Sequence, residues 1–114
     1  MYNVPDYALD NSAWKYASST AIADTADDVI KAAVTGKCNY LCGLQISNSA
    51  ADVGTVVVIK DGSTVVWAGY VAKAGGHIEV TFNVPIKGTA ATALNVACIT
   101  TSAEVYVSAQ GYTI

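Results

Sequence analysis

Residues 55–70 read TVVVIKDGSTVVWAGY, two runs rich in β-branched residues joined by Asp61-Gly62. Such runs favour strands, and an Asp-Gly pair between them is typical of a two-residue hairpin turn whose two central residues take positive φ. The stretch therefore predicts an antiparallel ribbon. Similar short Val, Ile and Thr runs, separated by Gly, Asn, Asp or Pro, continue from about residue 21 to the end of the sequence, which predicts an all-β domain.

The number of runs indicates the architecture. About eight or nine strands in a chain of 114 residues suit an antiparallel two-sheet β-sandwich, a jelly roll or a near relative, although the sequence does not give the strand order. Alternation assigns one side of each strand to the core. Trp67, Tyr70 and Phe82 are assigned mainly to the core, with use in an interface as the alternative. The residues predicted to point inward by alternation are Cys38, Tyr40, Cys42, Leu44 and Ile46, then Ile78, Val80 and Phe82, then Leu94, Val96 and Cys98, and last Val105, Val107 and Ala109.

Two segments near the start of the sequence are harder to interpret. Residues 18–34 could form a short helix, but the β-branched pair Val29-Ile30 favours strand, turn, strand, with strands at 20–23 and 28–33. Residues 1–13 have no sustained period and form an extended N-terminal arm ahead of a sandwich domain at 14–114. An arm of this kind either frays or docks, and its tyrosines favour docking on a neighbouring subunit or partner.

The composition indicates that the outside of the domain is covered by protein. Charged residues are 13% of the chain and hydrophobic residues 53%, whereas about 25% of a typical soluble domain is charged. We therefore expect a surface buried in a subunit interface or against a partner. The alternative is a monomer rich in Ala and Val whose surface is coated by Thr, Ser and Asn.

Charge and segment patterns argue against several classes of partner. The six cations are lysines scattered singly, and the net charge is −3, so we expect no nucleic acid partner. No apolar stretch is long enough to span a membrane, and the start of the sequence lacks the pattern of a signal peptide, so we expect no membrane and synthesis in a cytoplasm. Three cysteines without disulfide spacing agree with that compartment.

The chemical residues do not form a recognisable catalytic or metal motif. Nucleophilic catalysis needs an oriented base, and the single histidine, His77, follows Gly75-Gly76 in an expected loop. A zinc site would need a fourth ligand beside the three cysteines, and the only histidine is His77. Most carboxylates fall in expected turns, where they cap the backbone. We predict that the chain is not an enzyme and holds no cofactor or metal.

Several motifs are spread over residues 14–112. They are Trp14-x-Tyr16-Ala17, Asn39-Tyr40, Leu44-Gln45-Ile46-Ser47-Asn48, Val58-Ile59-Lys60-Asp61-Gly62, Val66-Trp67-x-Gly69-Tyr70, Phe82-x-x-Pro85-x-Lys87-Gly88-Thr89, Ala93-Leu94-Asn95-Val96 and Val105-Tyr106-Val107-x-Ala109-Gln110-Gly111-Tyr112. These motifs resemble the small β-sandwich virion proteins of tailed double-stranded DNA bacteriophages, the head decoration (cement) and head-fibre proteins. The resemblance implies a homotrimer on the outside of the capsid that braces the major capsid protein.

Together these features predict a phage capsid decoration protein, made in the host cytoplasm and carried on the virion surface. The predicted capsid or subunit contacts are Tyr2, Tyr7, Leu9, Trp14 and Tyr16, because aromatic side chains dominate interface energetics. An alternative is a receptor- or glycan-binding fibre module, and a further one is a tail or neck component. For glycan binding, the candidate loop residues are Asn48, Asp52, Asp61 and Asn83.

Overall fold

The computed structural model describes residues 12–114, which form eight strands and no helix. Tyr2, Tyr7 and Leu9, and most of the predicted arm, lie outside the described residues. No helix that could cross a membrane occurs in residues 12–114. The strands are β1 (Ala13–Ala17), β2 (Asp28–Lys31), β3 (Asn39–Asn48), β4 (Thr55–Asp61), β5 (Thr64–Val71), β6 (Gly76–Lys87), β7 (Leu94–Cys98) and β8 (Val105–Thr113).

The strands form two four-stranded antiparallel sheets packed together, which confirms the predicted sandwich. Sheet I has the order β1-β8-β3-β6, and sheet II has the order β2-β7-β4-β5. The two halves of the chain pair in mirror order: β1 with β8, β2 with β7, β3 with β6 and β4 with β5. The chain is therefore arranged as one long hairpin, and its successive strand pairs alternate between the two sheets.

The core lies between the inner faces of the two sheets. The alternation predicted for β7 and β8 is confirmed, because Leu94, Val96, Val105 and Val107 are almost completely buried. Each such side chain contributes about 1.5–3 kcal/mol when it leaves water. The inward residues of the edge strand β6 pack against the same cluster but are only partly buried.

A bulge in β3 overturns the face predicted for the first half of that strand. Leu41 pairs with Gly111 of β8 and Gly43 pairs with Gln110, so Cys42 is an extra residue without an opposite partner. One inserted residue exchanges the two faces. Leu41 is therefore buried together with Leu44 and Ile46, while the other three residues predicted to face inward are only partly buried: Cys38, Tyr40 and Cys42.

The hairpin is confirmed, but its turn lies one residue later than predicted. Asp61 pairs with Thr64, so the turn residues are Gly62 and Ser63. Gly62 has φ of 62°, and Asp61 does not have a positive φ. A turn with a positive φ at the first central glycine alone is the other common two-residue hairpin turn.

Residues 18–34 contain one regular strand rather than two. The second predicted strand is present as β2, which is four residues long. In place of the first, Ile22 forms an isolated antiparallel bridge with Val105 of β8. Ile22 is buried in the core, so this segment is fixed by packing between the sheets and not by extended pairing.

Candidate protein-binding face

The outer side of sheet II carries several exposed apolar side chains. Five of them are Val29 on β2, Val65, Val66 and Tyr70 on β5, and Ile99 directly after β7. We call this surface, formed by these five residues together with Val56, Val58, Ala68 and Ala97, the sheet II face.

Strand register places these residues on one side of the sheet. Val56 pairs with Tyr70, and Val58 pairs with both Ala68 of β5 and Ala97 of β7. The amide of Ile99 donates to the carbonyl oxygen of Val56 at 3.0 Å. Directly paired residues of antiparallel strands point to the same side, so the sheet II face is contiguous across β5, β4 and β7.

The centre of the sheet II face is almost inaccessible to solvent even without a partner. Val58 is 7% exposed and Ala97 is 2% exposed, although both point away from the core. The centre of an interface is likewise the part from which water is excluded. The exposed side chains around them provide the area that a partner would remove from water.

Polar side chains at the border of the sheet II face already have partners within the chain. Lys60 Nζ lies 2.8 Å from the Asp27 carboxylate, and the Asn95 amide donates to the carbonyl oxygen of Gly62 at 2.9 Å. A partner that covers Lys60 and Asp27 therefore buries an ion pair and not an uncompensated charge. Leaving such a charge buried would weaken binding strongly.

The outer side of sheet I is polar, in contrast to sheet II. Gln45 and Gln110 exchange two amide hydrogen bonds at 3.0 and 2.7 Å across β3 and β8. Tyr40 and Tyr112 stack with ring centroids 4.6 Å apart, and the Lys87 ammonium lies 6.0 Å from the Tyr40 ring centroid. The outer side of sheet I thus carries amide and aromatic groups at these positions, where that of sheet II carries mainly aliphatic side chains.

The predicted contact residues Trp14 and Tyr16 lie on the inner side of β1. Trp14 pairs with Gly111 and Tyr16 with Ala109 of β8, and both side chains are partly buried against the core. Burial, together with the nearby Asp28 carboxylate, raises the pKa of the Tyr16 hydroxyl. The structure thus brings these two residues together at the β1 edge, away from the sheet II face.

Tyr70 was assigned to the core with Trp67, and this assignment is wrong. Residues three apart in a strand point to opposite sides, so Trp67 packs against the core while Tyr70 is 63% exposed. The signal for the sheet II face was the uninterrupted apolar run at residues 56–59, since a strand apolar on both sides predicts two covered sides.

The loop residues proposed for glycan binding do not form one site. Asn48 is fully buried and donates to the carbonyl oxygen of Val71, next to the start of β4. Asp61 ends β4, and its carboxylate accepts from the Thr89 amide and hydroxyl. These two residues therefore lie at opposite ends of β4 and are used to hold the fold.

The single histidine lies in a strand and not in the predicted loop. His77 belongs to β6 and pairs with Ser47 of β3. Together with Glu79 and Tyr106, these side chains line a shallow depression of about 210 Å³ on the outer side of sheet I. Among residues 12–114, no hydrogen bond joins Ser47, His77 and Glu79, so they lack the oriented nucleophile and base of a catalytic triad. Residues 12–114 also hold no cluster of three or more His, Cys, Asp or Glu side chains suited to a metal ion.

No protein-family model matches the chain, and the search of curated proteins finds no significant similarity.

Proposed function

We propose that this chain is a non-catalytic structural protein that binds other protein through the sheet II face. Its partner is the major capsid protein on the outside of a tailed-phage head, which the protein decorates and stabilises. The observation that carries the proposal is the asymmetry of the sandwich, whose sheet II face exposes Val29, Val66, Tyr70 and Ile99. Exposed apolar patches of this kind mark interaction sites.

The identity of the partner rests on the motif resemblance, and the two packed antiparallel sheets agree with the β-sandwich that it implies. A virion protein is made in the host cytoplasm, which agrees with three free cysteines.

Stabilisation of the shell follows from mass action. A protein that binds the assembled shell, and not the separated subunits, shifts the equilibrium towards assembly. Many copies on one shell, and three linked copies in a homotrimer, multiply a modest affinity for each site. Light scattering of the purified protein tests the proposed homotrimer, which requires three times the 11.7 kDa of one chain. A monodisperse monomer would contradict it.

Co-sedimentation with assembled capsid shells tests the proposed function. Tyr70→Lys and Ile99→Lys should each weaken binding by at least about tenfold, because each places a charge in a desolvated contact. Tyr106→Lys is the matched control, since Tyr106 is 44% exposed on the outer side of sheet I. Equal binding of the Tyr70→Lys and wild-type proteins would contradict the proposal.

The depression around Tyr106 supports a second candidate, the receptor- or glycan-binding fibre module. An exposed tyrosine beside Ser47, His77 and Glu79 could stack on a sugar ring and bind its hydroxyl groups. Binding to a glycan array that is lost in Tyr106→Lys and retained in Tyr70→Lys would favour this candidate over the capsid partner. If immunolabelling finds the protein on the tail or neck of the particle, the remaining alternative, a tail or neck component, would be favoured.

A further inference from the structure

Residues 82–85 form a bulge on an open edge of sheet I. These four residues of β6 lie between the positions that pair with Leu41 and Gly43 of β3, opposite Cys42 alone. β6 is the last strand of the sheet and has no neighbour in sheet I on its other side. Bulges at sheet edges interrupt strand pairing and redirect side chains, so this part of the edge is suited to contact through side chains.

The bulge carries an apolar side chain that is almost fully exposed. Val84 is 84% exposed, more than any other large apolar side chain of residues 12–114. Edge strands are usually protected by charges, prolines or bulges. Pro85 and the bulge itself serve that purpose, but an exposed valine does not. Val84 gains free energy if it leaves water in a pocket of a partner.

A pocket of about 440 Å³ lies at the opposite edge of sheet I, where β1 begins. We call it the β1 pocket. Its walls include Trp14 of β1, Val34 from the connection after β2, and Ile114 after β8, together with Lys31 and Lys37. The pocket therefore offers apolar side chains and enough space for a valine.

The bulge and the β1 pocket lie at the same level of the sheet. One row of directly paired residues runs across all four strands from Trp14 on β1 to Ile86 on β6, and the next row runs from Lys15 to Thr81. Residues 82–85 lie between these two rows. When two sheets I meet edge to edge at equal height, the bulge of one therefore faces the beginning of β1 of the other.

The two edges also carry complementary charges. Lys15 is the only charged residue of β1, and Glu79 is the only carboxylate of β6. Both lie on the outer side of sheet I, where Lys15 pairs with Gln110 and Glu79 pairs with Gln45. Neither forms an ion pair among residues 12–114. Opposite charges on facing edges favour this contact over one between two copies of the same edge.

We propose that copies of this chain join head to tail through the two edges of sheet I, with Val84 of one copy in the β1 pocket of the next. This inference rests on the homotrimer of the proposed function and names the surfaces that form it. A rotation about an axis parallel to the strands joins edges at equal height without displacement along that axis. Head-to-tail contacts of this kind close into rings, so each copy provides one Val84 and one pocket.

Sedimentation velocity tests the contact with single variants. Val84→Lys should raise the dissociation constant of the oligomer by at least about tenfold, because it places an ammonium group beside Lys31 and Lys37 of the next copy. Tyr106→Lys is the matched control, since it adds the same charge at an exposed position of β8, away from both edges. An unchanged dissociation constant in Val84→Lys would overturn the proposal.

A mixture of two variants tests the head-to-tail geometry. Val34→Lys blocks the pocket but keeps Val84, whereas Val84→Lys keeps the pocket. Each variant alone should be monomeric, while the mixture retains one intact contact and should form a 1:1 dimer with twice the 11.7 kDa of one chain. If Val34→Lys does not fold, Ala13→Arg blocks the same pocket from an exposed position. A mixture with no higher average mass than its components would overturn the geometry.

Tyr70→Lys separates this inference from the proposed function. Tyr70 lies on the sheet II face, so this variant should lose capsid binding and keep the mass of the wild-type oligomer. A monomeric wild-type protein would overturn the inference, and capsid binding through the sheet II face would still be measured by co-sedimentation. Loss of the oligomer in Tyr70→Lys, with the oligomer retained in Val84→Lys, would place the contact on sheet II and overturn the inference as well.

Discussion

Asn48 lies fully buried at the end of β3 and uses its whole side-chain amide. Its Oδ1 accepts from the amides of Ala50 and Glu104 at 3.0 and 3.2 Å. Its Nδ2 donates to the carbonyl oxygen of Val53 at 2.8 Å and to that of Val71. One side chain thus ties together the connections to β4, β6 and β8 at one end of the sandwich.

Asn48→Ala should lower the free energy of unfolding by about 3 kcal/mol, because it leaves several buried backbone groups without partners. Urea unfolding measures this change. Ser47→Ala, at the exposed neighbouring position, is the control and should change stability by no more than about 0.5 kcal/mol. Similar small effects for both variants would show that water replaces the amide.

Cys98 gives the stability a dependence on alkaline pH. Its thiol is 2% exposed, and burial, with smaller contributions from Asp24 and Asp28, raises its pKa from 9.0 to about 11. Between these values the unfolded chain releases a proton that the folded chain retains, so stability is full below pH 9 and falls as the pH rises towards 11.

Unfolding midpoints at pH 8 and pH 10.5 test this dependence. The wild-type protein should lose more stability over this interval than Cys98→Ala, which has no thiol at this position. Burial also raises the pKa of Cys42, so part of the loss should remain in the variant. An equal loss of stability in both proteins would show that Cys98 does not contribute to the pH dependence.

Features that depend only on residues close together in the sequence were predictable from it. The hairpin follows from residues 55–70, and the faces of β7 and β8 follow from simple alternation. The bulge in β3 was not predictable in this way, because Cys38, Tyr40 and Cys42 continue the same alternation as Leu44. The extra residue is defined only by pairing with β8, which is distant in the sequence.

The position of the hairpin turn has a similar non-local component. Asp61 pairs within the ribbon, and its carboxylate accepts from the Thr89 amide at 3.0 Å and from the Thr89 hydroxyl at 2.6 Å. These hydrogen bonds join the end of β4 to the connection between β6 and β7.

Asp61→Ala should therefore lower the free energy of unfolding by about 2 kcal/mol, since bonds to a charged acceptor are each worth about 1.5–3 kcal/mol when well formed and less when exposed. Chemical denaturation measures the change. Asp52→Ala, in the exposed loop before β4, serves as the control because no hydrogen bond or ion pair of its side chain occurs among residues 12–114. Equal stability of the two variants would contradict a role for Asp61 in joining these elements.

Among residues 12–114, the outer side of sheet II is mainly aliphatic, whereas that of sheet I carries amides and tyrosines. The low charge of the chain predicted covered surface, but not which surface. The aromatic residues near the start of the sequence indicated the arm and β1 as the contact region. The sequence does not indicate the proposed sheet II face as one surface, because its members come from β2, β4, β5 and the end of β7, and only the folded sheet brings them together.

Tyrosine nitration followed by mass spectrometry tests the central claim, that protein covers the sheet II face. Tyr70 is 63% exposed on that face and Tyr106 is 44% exposed on the opposite surface, so both should react in the free protein. On particles that carry the protein, Tyr70 should be protected while Tyr106 still reacts. Equal nitration of Tyr70 on the particle and in solution, or protection of Tyr106 instead, would contradict the claim.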